Sequence, residues 1–288
     1  MTDDAKSPNA EAIGVWNEIL VPKFTRYRQV FVDGSAPHSA EALARHPVRP
    51  GERVLDVGCG FGETTIELAR AVGPSGGALG IDVGQGFIDV ARADAAHAGV
   101  TNVRFEVADA QIARFDEPFN VCFSRFGTMF FANPAAALRN LRRAMKPGGR
   151  LLMVVWRTIA DNDWARIPKE IARKHLPPPP DEAPNCGPGP FSMADVDTVR
   201  AILDAAGWRE PGFERIDRAF TTGATVEDAI AFQLSLGPAG EIVREAGPLG
   251  DEKRPAIVAE LAERLRPLAG PQGVAVGASS WCVTARAG

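Results

Sequence analysis

Between Arg53 and Trp156 the chain repeats one unit: a short apolar run rich in β-branched residues, a glycine-bearing turn, then a helical stretch. The runs are RVLDVG (53–58), GALGIDV (77–83), VRFEVAD (103–109), FNVCFSRF (119–126) and RLLMVVW (150–156). The helical stretches are GETTIELARAV (62–72), GFIDVARADAAHAG (86–99) and NPAAALRNLRRAMKPGG (133–149), the last closed by a Pro-Gly-Gly turn. Strand and helix alternating over short connections specify a mostly parallel sheet with helices on both faces. Strands covered on both faces are apolar almost throughout, as these are.

The flanks are less regular. Residues 10–30 read as helix, with Ile13, Trp16, Ile19 and Leu20 near helical spacing and Pro22 ending the element. A second helix is predicted over 39–45. After Trp156 comes a helix and then LPPPPDEAPNCGPGPF (176–191), whose four consecutive prolines bar it from a helix interior or a central strand. Residues 157–192 therefore read as an extended insertion over the sheet edge, a lid or a linker. A helix resumes over 192–207 with Ser192 as cap. A strand is predicted at 213–220, helices at 225–236 and 251–266, and a last strand within 273–287. The late return of strands points to one elaborated domain: a helical cover (1–48), a core (49–156), the insertion (157–192) and the rest of the sheet and helices (193–288).

A formal net charge of −4 makes the chain a poor electrostatic match to nucleic acid or an anionic membrane. The stretch MTDDAKSPNAEAIG has no basic flank and apolar core of a secretory signal. No apolar run approaches a membrane span. Cys59, Cys122, Cys186 and Cys282 stand far apart, which suggests neither a zinc site nor a disulfide framework and makes a reducing cytoplasm the default.

In an open α/β sheet, ligands bind beyond the carboxyl ends of the strands. That rim carries Asp56 to Gly62, Asp82, Asp109 and Ser124 to Phe126. Each has a plain structural explanation: glycines make turns and aspartates cap helices. Together, one at each strand end, they point to a bound ligand. GCGFG is G-x-G-x-G, not the G-x-G-x-x-G of dinucleotide sites. Asp82 does not discriminate, because an acid at the second strand's end suits the ribose of either cofactor class. The charges beside the glycines do. A pyrophosphate on this helix N-terminus would face both Asp56 and Glu63, whereas a ligand carrying an ammonium and a sulfonium would be attracted.

With VLDVGCGFG, GIDVGQGFIDVAR, NVRFEVADAQ and LRRAMKPGGRLLMVVW, residues 50–156 resemble the class I S-adenosylmethionine-dependent methyltransferases. The closest style is the small-molecule subgroup that includes the ubiquinone and menaquinone biosynthesis enzymes. The resemblance implies a Rossmann-like, doubly wound, seven-stranded α/β sheet whose last strand runs antiparallel, a role suited to 281–286. It implies that Asp56, Gly58 and Gly60 line the methionine end of the cofactor, with Cys59 contributing backbone and its thiol packed. Asp82 would accept from the ribose hydroxyls and Val83 pack on the adenine. Asp109 would accept from the adenine amino group beside Ala110. Ser124 and Arg125 would face the methionine portion or the substrate.

Methyl transfer is an in-line displacement in which positioning supplies much of the rate, and a base is needed only where the nucleophile loses a proton early. Among four histidines, His38 is the candidate base, because its segment can fold over the cofactor. Tyr27, Phe126 and Phe130 are candidate walls of an apolar substrate pocket, with Trp16, Phe24, Phe31 and Phe131 nearby; core packing is the alternative for each. Arg125 and Arg157 suit a substrate carboxylate, or pair with nearby acids, and Trp164 belongs to the lid. No metal is implied. The reading is methyl transfer to O, N or C of a small molecule by a monomer or homodimer. The alternatives are an NAD(P)-dependent oxidoreductase and a non-catalytic S-adenosylmethionine-binding protein. The position after strand four reads SRFG, not the NPPY type of exocyclic-amine methyltransferases of nucleic acid.

Overall fold

The computed structural model describes residues 9–178 and 187–288. Residues 179–186, with Cys186 and part of the proline-bearing run, lie outside the described residues. The sheet comprises β1 (Arg53–Val57), β2 (Gly77–Asp82), β3 (Val103–Val107), β4 (Phe119–Arg125), β5 (Met145–Trp156), β6 (Trp208–Thr221) and β8 (Gly273–Ala287), with the two-residue β7 (Ala269–Gly270) folded back on β8. The order is β3-β2-β1-β4-β5-β8-β6. The first five strands pair in parallel, and β8 runs antiparallel to both β5 and β6. The expected sheet and its antiparallel last strand are both present.

The chain runs outward from β1 through β3 and then returns to β4 on the other side of β1. The topological switch point, where such sheets bind ligands, therefore lies between β1 and β4. Helices α4 (Glu63–Val72), α5 (Gln85–His97) and α6 (Pro134–Arg143) make the crossovers. Asn133 caps α6 by accepting from Ala136 N at 3.0 Å, with Pro134 in the first turn, where a missing N–H costs nothing.

Several boundaries differ from the sequence expectation, each for a local reason. Pro22 does not end the first helix. It opens α2 (Val21–Arg26), which continues α1 (Ala10–Val15) through a π-helical turn at Trp16–Leu20. The second helix is α3 (Arg28–Arg45), far longer than 39–45, and it accommodates Pro37. The helix over 133–149 stops at Arg143, and Met145 already pairs with Phe119. Lys146–Gly149 then bulge before Arg150 pairs with Val121, so the Pro-Gly-Gly lies within β5. Ser192 is not the cap of α8 (Val196–Ala206); Asp195 is, accepting from Thr198 N at 2.8 Å. The two expected C-terminal helices are three: α9 (Val226–Ser235), α10 (Pro238–Glu245) and α11 (Pro248–Leu265).

The described part of 157–192 is not an edge lid. Its helix α7 (Asp163–His175) buries Trp164, Ala165, Ile167, Pro168, Ile171 and Ala172 in the main hydrophobic core. Asn162 anchors it: its amide donates to Ser279 O at 3.0 Å and its carbonyl accepts from Ser279 N at 2.9 Å, tying the helix start to β8. Among the described residues no helix is long and apolar enough to cross a membrane, and no cluster of side chains suits a metal ion.

Candidate cofactor and acceptor site

One cavity of about 440 Å³ opens at the switch point, a volume typical of small-molecule sites. Its first half is the rim of strand ends. Asp56, Gly58, Cys59, Gly60, Asp82, Val83, Asp109, Ala110 and Arg125 all line it. Eight residues named as cofactor contacts from β1 to β3, and Arg125 from β4, are thus brought together.

The glycine turn shows why small residues stand there. Gly58 has φ of 67°, and a Cβ on it would lie 2.9 Å from the Gly127 Cα, so the turns after β1 and β4 touch through two glycines. Gly60 differs: its φ is 54°, yet a Cβ there would meet no protein atom within 4 Å. The open space before Gly60 belongs to the cavity.

The acids are enclosed. Asp56 is 2% exposed and accepts from Thr65 Oγ1 at 2.6 Å. Burial raises its pKa to about 6, with Asp82 and Glu63 adding repulsion and Thr65 and Arg125 opposing the rise. Burial also raises the Asp82 pKa, while the amides of Gly84 and Gly60 counter it, donating at 2.9 and 3.0 Å. Burial pushes the Cys59 thiol up, so it is a packed thiol and no nucleophile. Glu63 does not stand as a lone charge: Arg28 of α3 bridges it at 2.7 Å and also bonds Asp94.

The N-terminal segment closes over this rim. Asn17 donates to Val83 O at 3.0 Å and accepts from Gln85 N at 2.9 Å. Asn9 donates to Asp109 Oδ2 at 2.9 Å. Trp16 stands edge-on to Phe130, ring centres 5.2 Å apart.

The second half of the cavity is a chamber of rings. Phe24, Phe31, Phe126, Phe130, Trp156, Trp164, Phe220 and Phe232 contribute, with Met129 and Leu236. Phe126 and Phe130 line it, where their positions after β4 suggested, and Trp164, expected in a lid, lines it instead from the core helix α7. The sequence reading missed Trp156, Phe220 and Phe232 in this role. Trp156 ends β5 on the ligand rim, a signal that was present; Phe220 and Phe232 carry none, being joined to the site only by the return of β6 and α9.

Four expected site residues lie elsewhere among the described residues. His38 is fully buried between the rings of Phe126 and Trp156, Nδ1 paired with Ser280 Oγ at 2.8 Å, and does not line the cavity. Burial lowers its pKa to about 4, so it is a neutral core side chain rather than a base at the site. Tyr27 turns outward, donating to Ala231 O at 3.1 Å with its ring against Phe232. Ser124 donates to Val57 O at 2.7 Å and so clamps β4 to β1. Arg157 pairs with Asp161 at 3.2 Å and lies over Trp281, because the chain turns away from the rim just after β5.

Comparison with known proteins finds methyltransferases. Residues 49–177 match the family model described as a methyltransferase domain. The ubiquinone/menaquinone biosynthesis C-methyltransferase UbiE of Azotobacter vinelandii is 41% identical over 109 residues, 37% of this chain and 43% of that enzyme. The match thus spans less than half of that relative's length. The enzyme of the same name from Marinomonas sp. is 28% identical over 193 residues, 64% of this chain and 75% of the relative. Among solved structures, phosphoethanolamine N-methyltransferase 2 of Haemonchus contortus, in complex with S-adenosyl-L-methionine, shares the fold: TM-score 0.57, 16% identity, 95% of this chain and 59% of that one. Over residues 49–177 the chain matches a methyltransferase domain, and it is similar there to the ubiquinone/menaquinone C-methyltransferases.

Proposed function

We propose that this chain transfers a methyl group from S-adenosylmethionine to O, N or C of an apolar, ring-bearing small molecule. One observation carries the reading: a single cavity leads from a rim of carboxylates into a chamber walled by aromatic rings. The donor set fits the cofactor. Asp56 beside the open Gly60 suits the methionine ammonium, Asp82 the ribose hydroxyls, and Asp109 with Ala110 the adenine amino group. Val83 supplies an apolar face for adenine. When bound, the cofactor supplies an electrophilic methyl carried on sulfur.

The chain's own part is positioning and exclusion of water. Phe126 and Phe130 offer ring faces beside the cationic end of the site, where such faces attract positive charge. The N-terminal cover, held by Asn17, lies over the rim and narrows its access to solvent. His38 stands outside the cavity and Glu63 is paired with Arg28, so alignment of the two reactants carries the rate. A cytoplasmic setting goes with this reading, and the buried unpaired thiols of Cys59, Cys122 and Cys282 suit it.

The test is calorimetric titration of S-adenosylmethionine into nucleotide-free protein, with Asp82→Ala as control, followed by a screen of ring acceptors for release of S-adenosylhomocysteine. Micromolar binding that the control loses, with turnover on a ring compound, is the expected result. Binding of a nicotinamide cofactor in its place would overturn the reading. Tight binding with no turnover on any acceptor would leave a cofactor-binding protein and no methyltransferase.

A further inference from the structure

Three arginines stand side by side at the end of the sheet away from the cavity. Arg286 of β8 is in register with Arg150 of β5 on one side and with Arg209 of β6 on the other. Residues directly opposite in antiparallel strands share a face, with Cβ atoms about 5 Å apart. Arg150 lies six residues before Trp156, which puts the row about 20 Å from the aromatic chamber. Arg150 is satisfied: it pairs with Glu52 at 2.6 Å and donates to Pro47 O at 3.0 Å. Arg286 and Arg209 are exposed, and neither guanidinium forms an ion pair or hydrogen bond among the described residues. Glu214, further along β6 on that face, is bonded by Arg45 and His46.

A β-bulge produces the row. From Arg209 to Gly212, β6 advances three residues while β8 advances two, Arg209 facing Arg286 and Gly212 facing Thr284. Carried back without the extra residue, the register of Gly212–Thr221 would set Glu210 against Arg286, an attractive pair. The chain instead holds Glu210 at φ of 55° and sets Arg209 there, a repulsive one. The bulge also turns Trp208 into the core. Burial of Trp208 does not call for arginine at the exposed position 209. Bulges re-aim side chains, and backbone strain held against a favourable pairing points to a function.

We propose that Arg286 and Arg209, flanked by Arg150, form an anion site for a small molecule bearing two linked phosphates. Two guanidiniums abreast present paired N–H forks to neighbouring phosphoryl groups, a geometry that lysine does not reproduce. The charges that repel one another attract a shared dianion. The site is independent of the function proposed above, since it needs neither cofactor nor acceptor. A phospholipid headgroup offers the same chemistry on a surface, and the experiment separates the two sources.

Inorganic pyrophosphate would be titrated into the full chain by calorimetry at physiological ionic strength, with orthophosphate alongside. Sedimentation with phosphatidylcholine vesicles carrying phosphatidic acid is the surface arm. Saturable one-to-one binding of pyrophosphate, tighter than orthophosphate, is expected. Arg286→Gln and Arg209→Gln are each expected to weaken it roughly 10-fold or more, as for a lost charge-assisted hydrogen bond. Arg286→Lys should recover part of the loss. Arg70→Gln, which removes an exposed charge from α4, should change nothing. Near-ultraviolet circular dichroism would check that each variant is folded.

Absence of saturable binding at millimolar pyrophosphate, or equal weakening by Arg70→Gln, would overturn the proposal and leave a solvated charged face. Full binding in both folded glutamine variants would place the anion elsewhere and overturn it too. Sedimentation with the acidic vesicles, without binding of pyrophosphate, would replace the soluble ligand by a membrane surface.

Discussion

The ring of Phe126 lies face to face with the indole of Trp156, centroids 3.8 Å and planes 17° apart, and Phe126 takes φ of 55° to reach it. A left-handed backbone is unfavourable for a bulky residue and persists only where its surroundings over-determine it. Here the Trp156 stack and the bond from Phe126 N to Val154 O, 2.8 Å, do so. The strain aims one ring into the aromatic chamber from the end of β4.

Phe126→Leu keeps apolar bulk and loses the stack. It is expected to cost about 1–2 kcal/mol in urea unfolding and to raise KM for a ring acceptor more than it lowers kcat. Equal stability and unchanged kinetics would show that the stack does not shape the chamber.

The two glycines of the turn should separate fold from binding. Gly58→Ala meets both a left-handed φ and the Gly127 backbone, so stability should fall by about 2–4 kcal/mol. Gly60→Ala meets only the φ, with about 1–2 kcal/mol of strain, but places a methyl group in the space before the rim. Its melting temperature should move little while cofactor affinity falls at least tenfold by calorimetry.

His38 makes a pH-dependent contribution. Its folded pKa, about 4, is below the ordinary 6.5, so the stabilisation is complete above pH 6.5 and is lost as pH falls through 4. Between pH 7 and 5 the loss is about 2 kcal/mol. Asp56 acts in the opposite sense: with a folded pKa raised to about 6, its contribution is greatest below 3.8 and is lost as pH rises through 6. The two oppose each other over the same interval, so the comparison must be differential. Wild type minus His38→Leu, by urea unfolding at pH 7 and pH 5, should show a gap that narrows on acidification.

Asn17 ties the cover to both sides of the turn after β2. Asn17→Ala removes the acceptor for Gln85 N and the donor to Val83 O. Loss of about 1 kcal/mol for each bond should expose residues 9–26 to proteolysis sooner than in wild type, and weaken cofactor binding several-fold. Unchanged cleavage would show that Trp16 and its ring contacts hold the cover without Asn17.

The cofactor rim was legible because parallel strands end on one edge, so Asp56, Asp82, Asp109 and Arg125 share a place by topology alone. The chamber was half legible. Phe126, Phe130 and Trp156 follow strands, but Phe220 and Phe232 arrive from elements more than sixty residues later. Proline misled once: Pro22 read as a break, yet it needs no hydrogen-bonded N–H in a first turn, and Pro37 is likewise absorbed, within a long helix packed on β6. His38 misled because a histidine near a site is chemically suggestive, and a sequence does not say which face of its helix is buried.

The placement of β8 between β5 and β6 sets a schedule for synthesis. β5 has its far edge bare, and β6 has no partner in the sheet, until residues 273–287 leave the ribosome. The parallel half can assemble while translation continues; the outer sheet cannot. A stall or truncation upstream of Gly273 would leave β6 and the edge of β5 as adhesive strands in one nascent polypeptide. Chaperone demand for this chain is expected to concentrate in that late interval.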